Sequence, residues 1–208
     1  MISRPCRVVV GLTMILALAA GREAGAGAPT DQLRAQIDKV LKTVEDPELK
    51  KPGKANERRE AVRRIAADTF DFTEMSKRAL ARHWQARTPA ERDEFVKLFT
   101  DLLERAYVSR IESFGGEQIA YNGDSIEGDA ALVRTKIITK QGTDIPVDYR
   151  MLKRNDRWLA YDVVIEGVGL INNYRTQFNK IIQTSSYQAL VDRMKNKQNE
   201  LLQDGKKT

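Results

Sequence analysis

The change of hydrophobic period at Gly115-Gly116 is the feature that most restricts the fold of this chain. Before these glycines, apolar residues recur every three or four positions, which is the period of an amphipathic helix. After them, apolar and polar residues alternate, which is the period of a strand with one buried face. Helices followed by an alternating sheet are typical of an α+β domain.

The helix starting at Thr88 carries the clearest local signals. Thr88-Pro89-Ala90-Glu91 is a capping box with proline at the first helical position, and Phe114-Gly115-Gly116 ends the segment. Between them runs an apolar stripe that includes Phe95, Phe99, Leu103 and Tyr107. Weaker helical patterns are predicted earlier, near residues 31–44, 61–66 and 70–84.

Four alternating segments follow the glycines and predict an antiparallel meander. They cover residues 117–121, 131–139, 145–153 and 158–166, and two helical patterns follow at 168–182 and 187–202. We therefore expect a curved antiparallel sheet of about four strands packed against a layer of helices. One domain accounts for all of these elements.

The N-terminus is typical of a secretory signal peptide. Residues 8–20 are uncharged and apolar. As a helix they would span roughly 20 Å, short of the ~30 Å hydrocarbon core of a bilayer. The small residues of Ala24-Gly25-Ala26 favour cleavage there, so residues 1–26 are predicted to be removed. The remaining domain, residues 27–208, is expected to be exported and to fold without a disulfide, because the one cysteine precedes the cleavage site.

Composition argues against several classes of function. The chain has one histidine and one cysteine, so no metal site, Cys/His pair or cofactor site is predicted, and no catalytic residue is assigned. Its glycines fall at turns and form no phosphate-binding loop. The net charge of +6 comes from basic residues scattered among acidic ones, so no nucleic-acid partner is expected.

Two questions stay open from the residues alone. Asp148, Asp162 and Glu166 lie on the predicted sheet, where a carboxylate could shuttle protons in an enzyme or could make structural contacts. We prefer the structural interpretation. The spacing of the many aromatic residues favours a filled core, as in a pure interaction domain, but composition does not distinguish a filled core from a hollow one.

A resemblance addresses the second question. The stretch "AYDVVIEGVGLINNYRTQF", residues 160–178, resembles the signature of the MlaC family of periplasmic phospholipid-binding proteins, also known as toluene-tolerance auxiliary proteins. Residues 70–84, 88–114, 145–152 and 157–163 are also similar to family segments. Two positions depart from the family pattern: Gly169 replaces a serine, and Ala81 replaces a glycine.

The resemblance implies a non-catalytic, periplasmic carrier of phospholipid with an apolar cavity between sheet and helices. Its implied partners are an inner-membrane ABC transporter complex and an outer-membrane lipoprotein complex, and the carrier is expected to be a monomer without a cofactor. Such transport would maintain the lipid asymmetry of the outer membrane. A hopanoid or another apolar ligand is the alternative cargo, and an enzyme using a sheet carboxylate is a further alternative.

The cavity is expected between a sheet wall and a helical wall, with Gly167 and Gly169 turning the chain between them. Arg175 is expected to point away from the cavity and to hold Asp162 or Glu166. The residues expected to contact lipid are Trp84, Phe99, Leu103, Tyr107, Val147, Tyr149, Met151, Tyr161, Val163, Ile165, Leu170, Ile171, Tyr174 and Phe178.

Overall fold

A computed structural model describes residues 28–204, which form helices and one antiparallel sheet. The predicted signal peptide, residues 1–26, lies outside the described residues. The helices are α1 (Ala28–Glu45), α2 (Ala55–Thr69), α3 (Phe72–Leu80), α4 (Pro89–Glu112), α5 (Leu170–Thr184) and α6 (Tyr187–Asp204). The strands are β1 (Gln118–Glu127), β2 (Ala130–Ile138), β3 (Asp144–Arg154), β4 (Arg157–Ile165) and β5 (Val168–Gly169).

The sheet confirms the predicted α+β class and the antiparallel meander. Its strands lie in the order β1-β2-β3-β4-β5, and each pairs antiparallel with its neighbour in sequence. The fifth strand has two residues and lies at the corner that the sequence places between the last long strand and α5. Within the described part of the chain, no helix is long and apolar enough to cross a membrane.

Local capping fixes where the helices begin. The amide of Thr88 donates to Glu91 at 2.7 Å and the amide of Glu91 donates back to the Thr88 hydroxyl at 3.3 Å, which confirms the predicted capping box. Asp71 caps α3 by accepting a hydrogen bond from the Glu74 amide at 2.8 Å. These caps satisfy amide groups that have no partner within the helix.

Strand register divides the sheet into two faces. On the face that we call inner, Val133, Tyr149 and Val163 lie opposite one another on adjacent strands. On the face that we call outer, Arg150 lies opposite Asp162. Tyr161 has no partner across the ladder because the register shifts by one residue there.

Two hydrophobic clusters form the interior. The sheet cluster joins Leu33 of α1 to the inner face, and its buried members are Leu33, Ala131, Val133, Met151, Trp158 and Ala160. The helical cluster is formed by α3, α4, α5 and α6, and its centre is a group of aromatic rings at Phe95, Phe99 and Phe178, with centroids 5.3 to 5.8 Å apart. The buried side chains therefore form two separate clusters rather than one continuous core. The partly buried Phe70 packs against both.

Candidate functional site

Part of the inner face carries apolar side chains that belong to neither cluster, and two of them are not fully covered. Val163 and Ile165 are half-buried and belong to neither cluster, and Val147, beside them on the next strand, is 5% exposed. A closed core would bury such inward-facing valine and isoleucine side chains. Their partial exposure leaves this region of the sheet available to an apolar ligand.

Tyr149 lies at the centre of the same face. Burial raises the pKa of Tyr149 to about 12, so protein surrounds the side chain closely enough to disfavour the charged form. The side chain is nevertheless only half-buried. Tyr149 therefore keeps surface that a ligand on this face of the sheet could contact.

Two tyrosines, one on α4 and one on α5, lie at the edge of the helical cluster. Tyr107 and Tyr174 are half-buried at the edge of the helical cluster, and burial raises the pKa of both phenols. The ring of Tyr174 packs edge-on against Phe99, with centroids 5.1 Å apart, so the helical wall rests on the aromatic centre of the cluster.

The structure distributes the predicted lipid contacts over three groups. The first lies in the helical cluster, with Trp84, Phe99, Leu103, Ile171 and Phe178 buried and Tyr107, Tyr161, Leu170 and Tyr174 at its edge. The second belongs to the sheet cluster, with Met151 buried and Tyr149 at its edge. The third belongs to neither cluster and consists of Val147, Val163 and Ile165. The half-buried residues, rather than the fully buried ones, are therefore those with surface to offer a ligand.

A tight turn connects β4 to β5 at the corner. Ile165 pairs with Val168, and the two residues between them, Glu166 and Gly167, have φ of 49° and 82°. Positive φ at both central residues is the pattern of a two-residue hairpin turn. The turn returns the chain along β4 for two residues before α5 begins at Leu170.

Asp162 holds this corner together. Its side chain is 4% exposed, accepts a hydrogen bond from the Ile171 amide at 3.0 Å, and pairs with the Arg150 guanidinium at 3.0 Å. The carboxylate thus caps α5, whose own N-cap residue, Gly169, has no side chain. The structural interpretation of Asp162, as a group that pairs with a base or caps a turn, is confirmed.

The expectation that Arg175 holds Asp162 or Glu166 is wrong. Arg175 donates to the side-chain oxygen of Asn172, one turn earlier on α5. Arg150 pairs with Asp162 instead, because the register shift at Tyr161 places these two residues opposite each other. The lone histidine, His83, is half-buried and hydrogen-bonds to Asn179 at 3.0 Å.

A recess, which we call the outer cleft, opens beside the outer face of β4. It has a volume of about 540 Å³ and lies between α3, β3, β4 and α5. Three of the predicted lipid contacts, Trp84, Tyr161 and Ile171, line it. The sequence did not predict the recess itself, because its residues come from segments far apart in the chain. Its lining residues are Glu74, Lys77, Arg78, Ala81, Trp84, Gln85, Arg150, Tyr161, Asp162, Ile171, Asn172 and Arg175.

Comparison with known proteins agrees with this architecture. The family model described as MlaC protein matches residues 34–196. The intermembrane phospholipid transport system binding protein MlaC of Haemophilus influenzae is 18% identical over 172 residues, which cover 80% of each chain. The structure of the phospholipid-binding protein from Ralstonia solanacearum, in complex with a phospholipid, superposes with a TM-score of 0.73 at 25% identity and covers 83% of this chain and 97% of that one. The chain therefore belongs to the MlaC family.

Proposed function

We propose that this protein binds a phospholipid non-covalently, with its acyl chains between the inner face of the sheet and the helical wall. The observation that carries the proposal is the exposure of Val163 and Ile165, which face inward yet belong to neither hydrophobic cluster. The half-buried phenol of Tyr149 beside them supports the same location. A solved structure of similar fold contains a phospholipid, which fits this type of ligand.

A lipid carrier has a clear physical task. Each methylene that leaves an apolar environment costs about 0.8 kcal/mol, so exposing two sixteen-carbon chains to water would cost on the order of 25 kcal/mol. Contact with an apolar protein wall replaces the contacts that the chains lose on leaving the bilayer. The headgroup would remain at the mouth of the site, in water.

We further propose that the protein works in the periplasm and carries lipid between an outer-membrane lipoprotein complex and an inner-membrane ABC transporter complex. Two features support this: the predicted signal peptide at residues 1–26 and the family relationship, which includes a protein named for intermembrane phospholipid transport. The carrier itself performs no chemistry in this proposal. The sheet carboxylate of Asp162 is occupied by Arg150 and the Ile171 amide, as expected of a structural group.

Native mass spectrometry of protein purified without detergent tests the proposal. We expect bound phospholipid at about one molecule per chain, and solvent extraction would identify the lipid class and so distinguish phospholipid from hopanoid. Val163→Trp and Leu170→Trp place an indole in the proposed site and should lower lipid occupancy severalfold, because a filled space leaves no room for acyl chains.

Ile126→Trp is the matched control, since Ile126 is 51% exposed at the far end of β1. It adds the same side chain without filling the site, so its lipid content should equal that of the wild type. Circular dichroism of all three variants should remain close to wild type. Purified protein without lipid, or equal lipid content in the inward variants and the control, would contradict the proposed site.

A further inference from the structure

The outer cleft is rich in positive charge. Lys77 and Arg78 enter it from α3, Arg150 from β3 and Arg175 from α5, so cations from three elements surround one recess. The side chains of Lys77, Arg78 and Arg150 are 53%, 42% and 49% exposed, and they face solvent rather than the core. An anionic group arriving from solution could contact several of them at once.

The carboxylates of the cleft already have partners within the protein. Glu74 lies 2.8 Å from Arg78 and 3.3 Å from Arg154, and Asp162 pairs with Arg150. Lys77 is 3.8 Å from Glu74, at the outer limit of an ion pair, and Arg175 donates to a neutral amide. Of the four cations in the cleft, Lys77 and Arg175 are therefore the least neutralised by carboxylates of the protein.

The outer cleft lies on the face of the sheet opposite the proposed acyl-chain contacts, although three residues that the sequence predicts to contact lipid, Trp84, Tyr161 and Ile171, line it. Arg150 and Asp162 lie on the outer face of the sheet, whereas Tyr149 and Val163 lie on the inner face. Arg78 also stacks over the ring of Tyr161, with 4.0 Å between its guanidinium carbon and the ring centroid. This contact orders one rim of the cleft without using its hydrogen-bond donors.

We propose that the outer cleft is the docking site for an acidic segment of a partner protein. The inference rests on the proposed function, because a carrier that receives and delivers lipid must dock with other proteins. A peptide with several carboxylates matches a recess bordered by cations on three separate elements. Such charge complementarity speeds association and fixes the orientation of the partner.

Other anionic ligands fit the cleft less well. The Ile171 amide at the start of α5 already donates to Asp162, so this helix end does not offer its amide to a phosphate. A bilayer surface would meet the most protruding cations, whereas these cations border a recess and come from three of the four elements around it. An extended acidic chain can enter such a recess.

A charge-neutralising pair of substitutions tests the docking site. The variant Lys77→Gln/Arg175→Gln removes the two least neutralised cations from exposed positions. The matched control, Lys97→Gln/Lys180→Gln, removes the same charge from exposed positions of α4 and α5 that do not line the cleft. Binding of a fluorescein-labelled decaglutamate peptide is measured by fluorescence anisotropy at low salt.

We expect the cleft variant to weaken peptide binding about tenfold and the control to change it less than about twofold, since nearby charges dominate the interaction. Equal weakening in both variants, or no binding by the wild type, would overturn the proposal. Displacement of the peptide by inorganic phosphate, beyond that by chloride at equal ionic strength, would assign the cleft to small anions. Cosedimentation with phosphatidylglycerol vesicles that depends on the same two cations, without peptide binding, would assign it to a membrane surface. Phospholipid content, measured in parallel by mass spectrometry, should be unchanged in both variants, so a failure of docking is distinguishable from a failure of lipid binding.

Discussion

Ala81 is held in a backbone conformation that suits glycine. It follows α3 with φ of 47° and ψ of −119°, where the Cβ of an L-residue crowds the neighbouring backbone. The family resemblance has glycine at this position, so the alanine departs from the pattern where the departure has a physical cost. The strain lies beside the outer cleft, which Ala81 lines.

Substituting Ala81→Gly should therefore stabilise the protein. Relief of the strained conformation is worth 1–3 kcal/mol and the extra flexibility of glycine opposes it, so we expect a net gain of about 1 kcal/mol. For a chain of this size the gain corresponds to a rise in Tm of about 2–4 °C. Thermal unfolding followed by circular dichroism measures it.

Ala106→Gly provides the control of opposite sign. Ala106 is exposed within α4, where glycine should cost about 1 kcal/mol because it weakens a regular helix. A loss of stability in both variants would show that the conformation of Ala81 is not strained.

At the scale of secondary structure, the sequence predicts what local signals determine. The capping box at Thr88 and Glu91 depends on residues three apart, and the alternation of β2 and β3 depends on the pleat of each strand. The pairing of Asp162 depends instead on a register shift at Tyr161; without that shift, Tyr161 would lie opposite Arg150. No local pattern marks this bulge. The sequence therefore predicted Arg175 as a candidate partner of Asp162, whereas Arg150 is the partner in the structure.

The same limit applies to the candidate site. The alternation of apolar and polar residues correctly places Tyr149 and Val163 on one face of the sheet. This alternation does not reveal which apolar side chains are buried. Phe99 and Phe178 are enclosed by other aromatic rings, whereas Val163 keeps exposed surface. That difference depends on how far the helices stand from the sheet, which is a property of the packed domain.

The corner between β4 and α5 yields a prediction about Gly169. A Cβ at this position would lie 3.0 Å from the Asp162 Oδ2 atom, and the carboxylate is fixed by Arg150 and the Ile171 amide. Gly169→Ala should therefore cost about 1–2 kcal/mol, because the added methyl group crowds the carboxylate that caps α5.

Gly169→Ser should cost less than Gly169→Ala, although its Cβ meets the same carboxylate. A serine hydroxyl at the N-cap can bond an α5 amide or donate to Asp162, and either bond offsets part of the crowding. This is the residue that the family pattern has there. Urea unfolding of the two variants gives the difference, and an alanine variant as stable as the serine variant would contradict the proposed role of the hydroxyl.

For the whole molecule, buried tyrosines predict a loss of stability in alkali. Burial raises the pKa of Tyr149 and of Tyr187 from 10.0 to about 12 in the folded protein. Between pH 10 and 12 the unfolded chain loses these protons first, so stability that is fully present below pH 10 falls as the pH rises. Each such tyrosine contributes up to about 1.4 kcal/mol per pH unit within this window.

Tyr149→Phe isolates one of these contributions. The free energy of unfolding, measured in urea at a series of pH values, should fall less steeply between pH 10 and 12 in the variant than in the wild type. Between pH 7 and 9 the two proteins should show the same pH dependence, because the phenol is protonated in both states there. An unchanged alkaline slope would mean that Tyr149 is as accessible to water as an ordinary surface tyrosine.

Removal of lipid should destabilise the whole domain if acyl chains complete its interior. A ligand that binds only the folded state stabilises it by about 4 kcal/mol at a thousandfold excess over Kd. Wild-type protein that is unfolded, stripped of lipid on an apolar resin and refolded should therefore unfold at a lower temperature than the protein as purified. Calorimetry measures the shift, and mass spectrometry verifies that lipid is absent.

The Val163→Trp variant separates this effect from damage during refolding. Its indole would occupy part of the proposed acyl-chain site, so the variant should carry less lipid and lose less stability when lipid is removed. Its Tm should be nearly the same before and after the stripping procedure. A wild-type Tm that does not change when lipid is removed would mean that protein side chains already fill the interior, and the half-buried face at Val163 and Ile165 would then need another explanation.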